Sequence, residues 1–402
     1  MRKGGEEVLQ NIKVLDFSKL LPGPYATMML ADLGAEILRV ESPSLPDMVR
    51  EMEPMDGESS AAHQHLNRSK KSITLDLKKR EAVDIVKQLI QEYDVVLEQF
   101  RPGVMERLGL DYETLKQVNP NIIYCSLSGY GQTGPYRDRP GHDNNYLSIA
   151  GINSYSGRKQ EAPVPMGVQI ADLAGGSLHS VIAILTAVIH RQTTGDGQYI
   201  DLSMTDATFA LNAMFGAGYI TKGIQPKIEE TFLNGGTHYD YYETKDGRYF
   251  SVGSLEAPFR NKLCEALNLE DMKEVALSNG PEDILAFKAA IKDVFLTKNY
   301  DEWTAVFREV EACVEPVLNF SEAVNHPQIQ SRNMITEVPR EDGTKQQQIS
   351  SPFKFSDYQQ KYKHTGTRRG DHTMEILRNL ELDENKIEAL VDQNVVGEIE
   401  RK

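Results

Sequence analysis

Short apolar runs alternate with helix-spaced apolar stripes from Ile12 to Ser128, and that alternation constrains the fold more than any other feature. Ile12–Phe17 (IKVLDF) is apolar almost throughout, as a parallel strand buried on both faces must be. Leu21-Pro22-Gly23-Pro24 breaks the run. Pro24 suits the first position of a helix, where a missing N–H leaves nothing unpaired. That helix, Tyr25–Leu33, is predicted to stop at Gly34, which accepts the left-handed backbone of a helix end. Ala35–Val40 reads as the next strand and closes a βαβ unit. Further on, Ser72–Leu77 alternates like a strand, and Glu81–Tyr93 carries Val83, Val86, Leu89 and Ile90 on one helical stripe. Asp94–Phe100 and Asn121–Ser128 read as strands, with Tyr112–Val118 a short helix between them. Repeated βαβ units predict an α/β protein with a mostly parallel sheet covered by helices on both faces.

Past residue 140 the rhythm changes. A long helix is expected over roughly 175–192, ending in Thr194-Gly195-Asp196-Gly197, followed by a strand (Gln198–Leu202) and a helix (Thr205–Phe215). Tyr239–Thr244 and Arg248–Ser254, joined at Lys245-Asp246-Gly247, read as a hairpin. With the helices that follow, among them Asp301–Val310, they predict a second, smaller α+β domain. The polar tail carries helices near His372–Leu380 and Glu384–Val391. The expected division is a large domain over 1–225, a small domain over 226–330, and a segment 331–402 that returns to the large one.

At 402 residues and a net charge of −15, the chain is poorly suited to a sequence-independent grip on nucleic acid or anionic lipid. An anionic small ligand needs local basic clusters instead. Cys125, Cys264 and Cys313 are far apart and form no CxxC pair, which argues against a disulfide framework or a structural zinc and fits a reducing compartment. The start MRKGGEEVLQ has no apolar run behind its basic residues, unlike a secretory signal. Leu178–Ile189 reads as a buried core helix too short to span a bilayer. The expectation is a soluble, cytoplasmic protein with no membrane or nucleic-acid partner.

Gly129-Tyr130-Gly131-Gln132-Thr133-Gly134 matches the dinucleotide pattern GxGxxG after a strand, but Pro135 and Pro140 prevent the helix that pattern needs to hold a pyrophosphate. A glycine-rich loop lining a ligand cleft is the better reading. Arg68, Lys70 and Lys71 precede a strand, and Arg101 and Arg107 follow one. Open parallel sheets bind ligands beyond the carboxyl ends of their strands, where Arg101 is expected. These cations are either solvated surface charges or holders of a phosphorylated ligand. His142, in Pro140-Gly141-His142-Asp143, is a lone histidine that could be structural, and His63 and His65 lack a third ligand for a metal. Asp172, just before Leu173-Ala174-Gly175-Gly176, reads as a helix N-cap. It could equally place a carboxylate beside the positive end of a helix. Glu256, in Gly253-Ser254-Leu255-Glu256-Ala257-Pro258, is either a surface glutamate or an acid in a mainly apolar loop.

Taken together, VLDFSKLLPGPYATMMLADLGAEILRVE, NRSKKSITLDLK, FRPGVMERLGLDY, SGYGQTGPYRDRPGHDNNYLSIAG, ADLAGG, TGDGQYIDLSM, NGGTHYDYYETKDGRYFSVGSLEAPF and VEACVEPVLNFSEAVNHP resemble the class III CoA-transferase (CaiB/BaiF-type) superfamily. Within it, the likeness is to the alpha-methylacyl-CoA racemases, and it covers almost the whole chain. The resemblance implies a Rossmann-like large domain that binds coenzyme A, a small domain, and an interlocked homodimer. It places on Asp172 the aspartate that transferases use as acyl-carrying nucleophile and racemases use as a proton-transfer base. It places the racemase histidine on His142 and an associated glutamate on Glu256. Coenzyme A contacts fall on Arg39, Arg68, Lys71, Arg101, Arg107, Asp143 and Tyr146. Coenzyme A would enter as part of an acyl-CoA substrate, with no metal or separate cofactor. The activity implied is racemisation of 2-methylacyl-CoA thioesters through an enolate. The alternatives are CoA transfer between carboxylic acids through Asp172, or CoA binding without turnover.

Overall fold

The computed structural model describes residues 7–397; the basic start at residues 1–6 lies outside them. Six strands form the central sheet. They are β1 (Lys13–Asp16), β2 (Glu36–Glu41), β3 (Lys71–Thr74), β4 (Val95–Glu98), β5 (Ile123–Ser128) and β6 (Tyr199–Ser203). They lie in the order β3-β2-β1-β4-β5-β6, and every neighbouring pair is parallel. The chain runs outward from β1 to β3 on one side, then returns to β4 on the other. This is the Rossmann order, and the crevice where it reverses, between β1 and β4, is where such sheets take ligands.

Helix α1 (Pro22–Asp32) begins at Pro22 rather than beyond Pro24, so the first proline fills the opening position. Gly34, with φ 103°, supplies the left-handed stop. On one face of the sheet, Ala26, Met29 and Leu30 of α1 pack with Val181, Ile184 and Val188 of a long helix. On the other face, α2 (Arg80–Leu89) contributes Ile85, Val86 and Leu89. Ile376, Leu377, Ile387 and Leu390 from the carboxyl-terminal helices join that second core, so the tail does return to the large sheet. Burial of these side chains is the main stabilising term for such a layered core.

The elements around the candidate site come next in the chain. Helix α3 (Asp143–Ile149) precedes a single π-helical segment, Ala171–Leu178, which continues without a break into α4 (His179–Thr194). The continuous helix has 24 residues, and its most apolar 18-residue stretch has mean hydropathy 1.6. Among the described residues it is the one helix long and apolar enough to cross a membrane, so the expectation that this stretch is too short fails on length. One side packs on the sheet, while Ile182 and Ile189 on the other are exposed. The helix expected over Thr205–Phe215 is split into α5 (Met204–Ala210) and a second helix, Phe215–Lys222.

The chain divides into two compact units. One runs up to Ala150 and resumes over Met166–Leu211 and from Gln330; the other comprises Gly151–Pro165 and Asn212–Ile329. The smaller unit therefore starts at Asn212, not 226, and includes an excursion from within the large domain. Its sheet is antiparallel, with β7 (Asp240–Glu243), β8 (Tyr249–Val252) and β9 (Val314–Pro316) in the order β9-β8-β7. Gly247 (φ 78°) turns the hairpin. Its core is aromatic, with Phe250, Phe287, Phe295 and Trp303 fully buried.

Candidate active site

Two segments meet around Tyr146. His142 is the N-cap residue of α3, and its backbone N–H donates to Asn145 Oδ1 at 3.0 Å. The next residue, Asp143, accepts the backbone N–H of Asp172 on Oδ1 at 3.0 Å, tying the start of α3 to the start of the π-helix. Tyr146 is buried one turn along, and its hydroxyl donates to the Gly141 carbonyl at 2.5 Å. Two glycines make room for its ring: a Cβ at Gly129 or Gly141 would stand 2.6 Å from it. Gly129→Ala is therefore expected to cost about 1–3 kcal/mol of stability through overpacking, read as a lower Tm, with turnover falling as Tyr146 shifts.

The glycine loop is clamped from below. Gly131 N–H donates to Ser128 Oγ (3.1 Å), Gln132 N–H to Asp201 Oδ1 (3.0 Å), and Thr205 Oγ1 to the Gly129 carbonyl (2.7 Å). Gly131 and Gly134 are both left-handed and no regular helix follows, so the loop is not a pyrophosphate cradle. Tyr130, which the sequence reading passed over, sets its ring edge-on to Tyr146 at 5.2 Å.

Asp172 is not an N-cap. It is the second residue of the π-helix, whose N-cap position is Ile170. Single-turn π geometry recurs at functional sites because it displaces side chains from α-helical register. Gly175 and Gly176 permit the close approach: a Cβ on Gly175 would meet Thr208 Oγ1 at 2.6 Å, and one on Gly176 the Pro22 ring at 3.2 Å. Burial pushes the Asp172 carboxyl up to about 6; the nearby Asp143 charge raises it further, while His142 pulls it down. Asp172 in turn helps keep the Tyr146 phenol protonated, after burial itself. The Asp172 N–H is taken by Asp143 and the Leu173 N–H by the Gln169 carbonyl at 2.9 Å.

The arginines sort into two groups. Arg39 is 2% exposed, pairs with Asp47 and, at 3.4 Å, with Glu41, and donates to His63 Nε2 at 3.2 Å. Arg68 is 1% exposed and grips Asp32 bidentately (2.8 and 2.6 Å), the Gln348 side chain and the Ile349 carbonyl. Both guanidinium groups are turned into the fold: that of Arg68 is paired at each nitrogen, while Arg39 keeps a buried Nε without a partner. A buried cation needs carboxylate partners of this kind to offset its desolvation. Lys70 is buried too, donating to the Pro24 carbonyl and Thr27 Oγ1, both at 2.8 Å. Lys71 reaches solvent and pairs with Glu375 at 2.9 Å. Burial, then Arg50 and Arg39, lowers His63 to about 2, so it stays neutral and accepts from Arg39.

Arg101 and Arg107 are exposed, just beyond the carboxyl end of β4 and beside the crevice where the sheet order reverses. Gly103 lies between Arg107 and Arg137: a Cβ there would stand 3.4 Å from Arg107 Nη1 and 3.6 Å from Arg137 Nη2. None of these three arginines makes an ion pair with a described residue. Arg137 was missed by the sequence reading, although Tyr136-Arg137-Asp138-Arg139 directly after the glycine loop was a signal for it. Glu256 belongs to the small unit, exposed at the N-cap of helix α6 (Ala257–Leu267).

Exposed arginines without a described ion-pair partner, Arg101 near enough to act on Tyr146 beside an aspartate of raised pKa and a histidine, suit a phosphorylated substrate that undergoes acid–base chemistry. Known proteins agree with that class. Residues 9–373 match the model of CoA-transferase family III. The chain is 34% identical over 395 residues to alpha-methylacyl-CoA racemase of Mus musculus, covering 97% of each protein. It is 32% identical to a succinate–glutarate CoA-transferase of Agrobacterium fabrum, over 93% of this chain and 96% of that one. The crystal structure of a CaiB/BaiF family protein from Brucella suis superposes with a TM-score of 0.80 at 30% identity, covering 92% of this chain and 98% of that one. Sequence, sheet order and site thus converge, and the chain belongs to CoA-transferase family III.

Proposed function

We propose that this chain racemises 2-methylacyl-CoA thioesters by moving a proton off and onto the carbon next to the carbonyl. The observation that carries this is the Asp172 carboxyl, raised to about 6 within the electrostatic reach of His142. Inversion needs two groups in opposite protonation states, one to take the proton from one face and one to return a proton to the other. A carboxyl titrating close to neutrality and an imidazole can each play either part. In one direction the Asp172 carboxylate removes the α-proton, the electron pair passes into the enolate, and protonated His142 delivers its proton to the opposite face. The reverse direction starts from neutral His142 and protonated Asp172.

Arg101, Arg107 and Arg137 are the cations available to the coenzyme A phosphates, and charge-assisted bonds from guanidinium groups suit that task. Arg39 and Arg68 are dropped from this role because of their buried pairings. Asp143 holds Asp172 by its backbone, and Tyr146 backs the site. The functional unit is proposed to be an interlocked homodimer in a cytoplasmic setting, with Glu256 orienting His142 from a second copy. The exposed apolar side of α4, with Ile182 and Ile189, favours such a partner.

The second reading is transfer of CoA between carboxylic acids. There the Asp172 carboxylate attacks the thioester carbonyl, CoA thiolate leaves, and the acyl group stays on Asp172 as a mixed anhydride. The similarity to the Agrobacterium fabrum transferase favours it. Incubation of the enzyme with (R)- or (S)-2-methylacyl-CoA in heavy water separates the two. Deuterium entry at the α-carbon with loss of optical purity is expected. Acyl exchange with free acids and hydroxylamine-sensitive labelling of Asp172 would instead establish transfer. Neither activity, with tight coenzyme A binding, would leave a binding protein.

A further inference from the structure

Arg101 and Arg107 stand on a segment with little local structure of its own. Its regular part is one five-residue helix, Val104–Leu108. Both ends of that helix are glycines in the left-handed region, Gly103 (φ 79°) and Gly109 (φ 67°), and no side chain caps its start. So short a helix does not form unaided.

Two buried side chains pin the segment from below, one near each end. Glu98, the last residue of β4, accepts the Phe100 N–H on Oε2 at 2.8 Å, immediately before Arg101. Tyr124, on the neighbouring β5, donates its hydroxyl to the Leu110 carbonyl at 3.0 Å, just past Arg107. The strands pair in register, Val96 beside Tyr124 and Glu98 beside Ser126, so both side chains rise from the same face of the sheet. The Ser126 hydroxyl also donates to the Glu98 carboxyl, and Tyr199 in turn donates to Ser126 Oγ at 3.4 Å. Glu98 is 4% exposed, and burial pushes its carboxyl up to about 7 against the pull of its two hydrogen bonds. Burial likewise keeps the Tyr124 phenol protonated, and therefore a donor. An acid buried without a cation beside it costs the fold stability, and such groups concentrate where they serve a site.

We propose that Glu98 and Tyr124 are positioning residues that set Arg101 and Arg107 against the phosphates of coenzyme A. Both act through the segment between them and not by contact with the ligand. The inference rests on the reading of those arginines as phosphate holders, and it is the same whether the chain racemises or transfers.

The test is calorimetric titration of the full chain with 2-methylpropanoyl-CoA and 2-methylpropanoyl-pantetheine. The two share the acyl group and the pantetheine arm, and only the first carries phosphates. Neither is altered by α-proton exchange in ordinary water, because its α-carbon bears two methyl groups. The unmodified chain is expected to bind the CoA thioester about a hundredfold or more tightly. Glu98→Ala and Tyr124→Phe each cut that preference about three- to tenfold, the effect of one lost hydrogen bond, and leave affinity for the pantetheine thioester where it was. Glu98→Gln restores most of it, since the amide oxygen still accepts the Phe100 N–H and the amide nitrogen donates to Ser126. The proposal is overturned if Glu98→Ala and Tyr124→Phe weaken both thioesters alike, as a general loss of packing would, or if they leave the preference intact. Arg101→Gln and Arg107→Gln, measured beside them, keep two failures apart. If the arginine variants abolish the preference and the others do not, the positioning role alone falls. If the arginine variants leave it intact as well, the phosphate assignment falls with it.

Discussion

Asp172→Asn lowers exchange of the enantiomer whose α-proton faces the carboxyl by roughly a thousand- to ten-thousandfold, the upper part of what a positioned acid–base group contributes. That corresponds to about 4–5.5 kcal/mol of barrier. The amide keeps the size of the carboxyl and leaves the Asp143 bond to the backbone N–H of residue 172 in place, so the π-helix is retained. Deuterium incorporation from heavy water measures the loss, and coenzyme A affinity measured in parallel should stay within about threefold of the unmodified chain. A variant that still exchanges both enantiomers at the original rate would remove Asp172 from the chemistry altogether. In the unmodified chain, the direction that uses the Asp172 carboxylate should accelerate as pH rises through about 6.

The same substitution has an opposite effect on stability, and the sign follows from titration. Asp172 binds its proton with a pKa of about 6 when folded and near 3.8 without the fold's influence. Between those values the folded state holds more protons than the unfolded one, so stability falls as pH rises through that window. Above about 6 the half-buried carboxylate is a standing liability. Asp172→Asn should therefore raise Tm at pH 8 and leave it nearly unchanged at pH 4. Loss of activity with a gain of stability is the pattern of a group kept for chemistry against the interest of the fold.

The sheet was legible because parallel strands covered on both faces have to be apolar along their length. Lys13–Asp16, Val95–Glu98 and Ile123–Ser128 are nearly fully buried, and each was visible as an apolar run. Gly34 marked a helix end for the equally local reason that it needs a positive φ. The π-helix was not legible. Its apolar spacing passes directly into that of α4, and only tertiary packing of Gly175 and Gly176 against Met204, Thr208 and Pro22 shows where the register slips.

The arginines teach the same lesson about long-range pairing. Arg68 and Arg107 look alike in sequence, but Arg68 finds Asp32 36 residues away and Gln348 280 residues away. Arg107 finds no carboxylate and is left to solvent or ligand. Nothing local distinguishes the two, so charge alone cannot separate an arginine locked inside the fold from one left at the surface. Gly151–Pro165 was assigned to the large domain for a related reason: a polar stretch rich in Gly, Ser and Pro carries no periodic signal of the core it joins.

His142→Gln separates the racemase from every rival that uses Asp172 alone. His142 is exposed at the start of α3, and its main-chain N–H, which holds the Asn145 cap, survives the substitution. Folding should therefore be unaffected. Exchange of the enantiomer whose α-proton faces the imidazole is expected to fall by about a hundred- to ten-thousandfold. The other enantiomer still meets Asp172, which can remove its proton, release it to solvent and return a deuteron to the same face. It should incorporate deuterium with its configuration retained, while inversion ceases in both directions. A transferase working through an anhydride on Asp172 predicts no such asymmetry, because the imidazole takes no part in breaking the thioester. Equal loss of exchange from both enantiomers would mean that residue 142 shapes the pocket and does not carry a proton. A single reaction, followed by mass for deuterium and by chiral separation for configuration, decides among these outcomes.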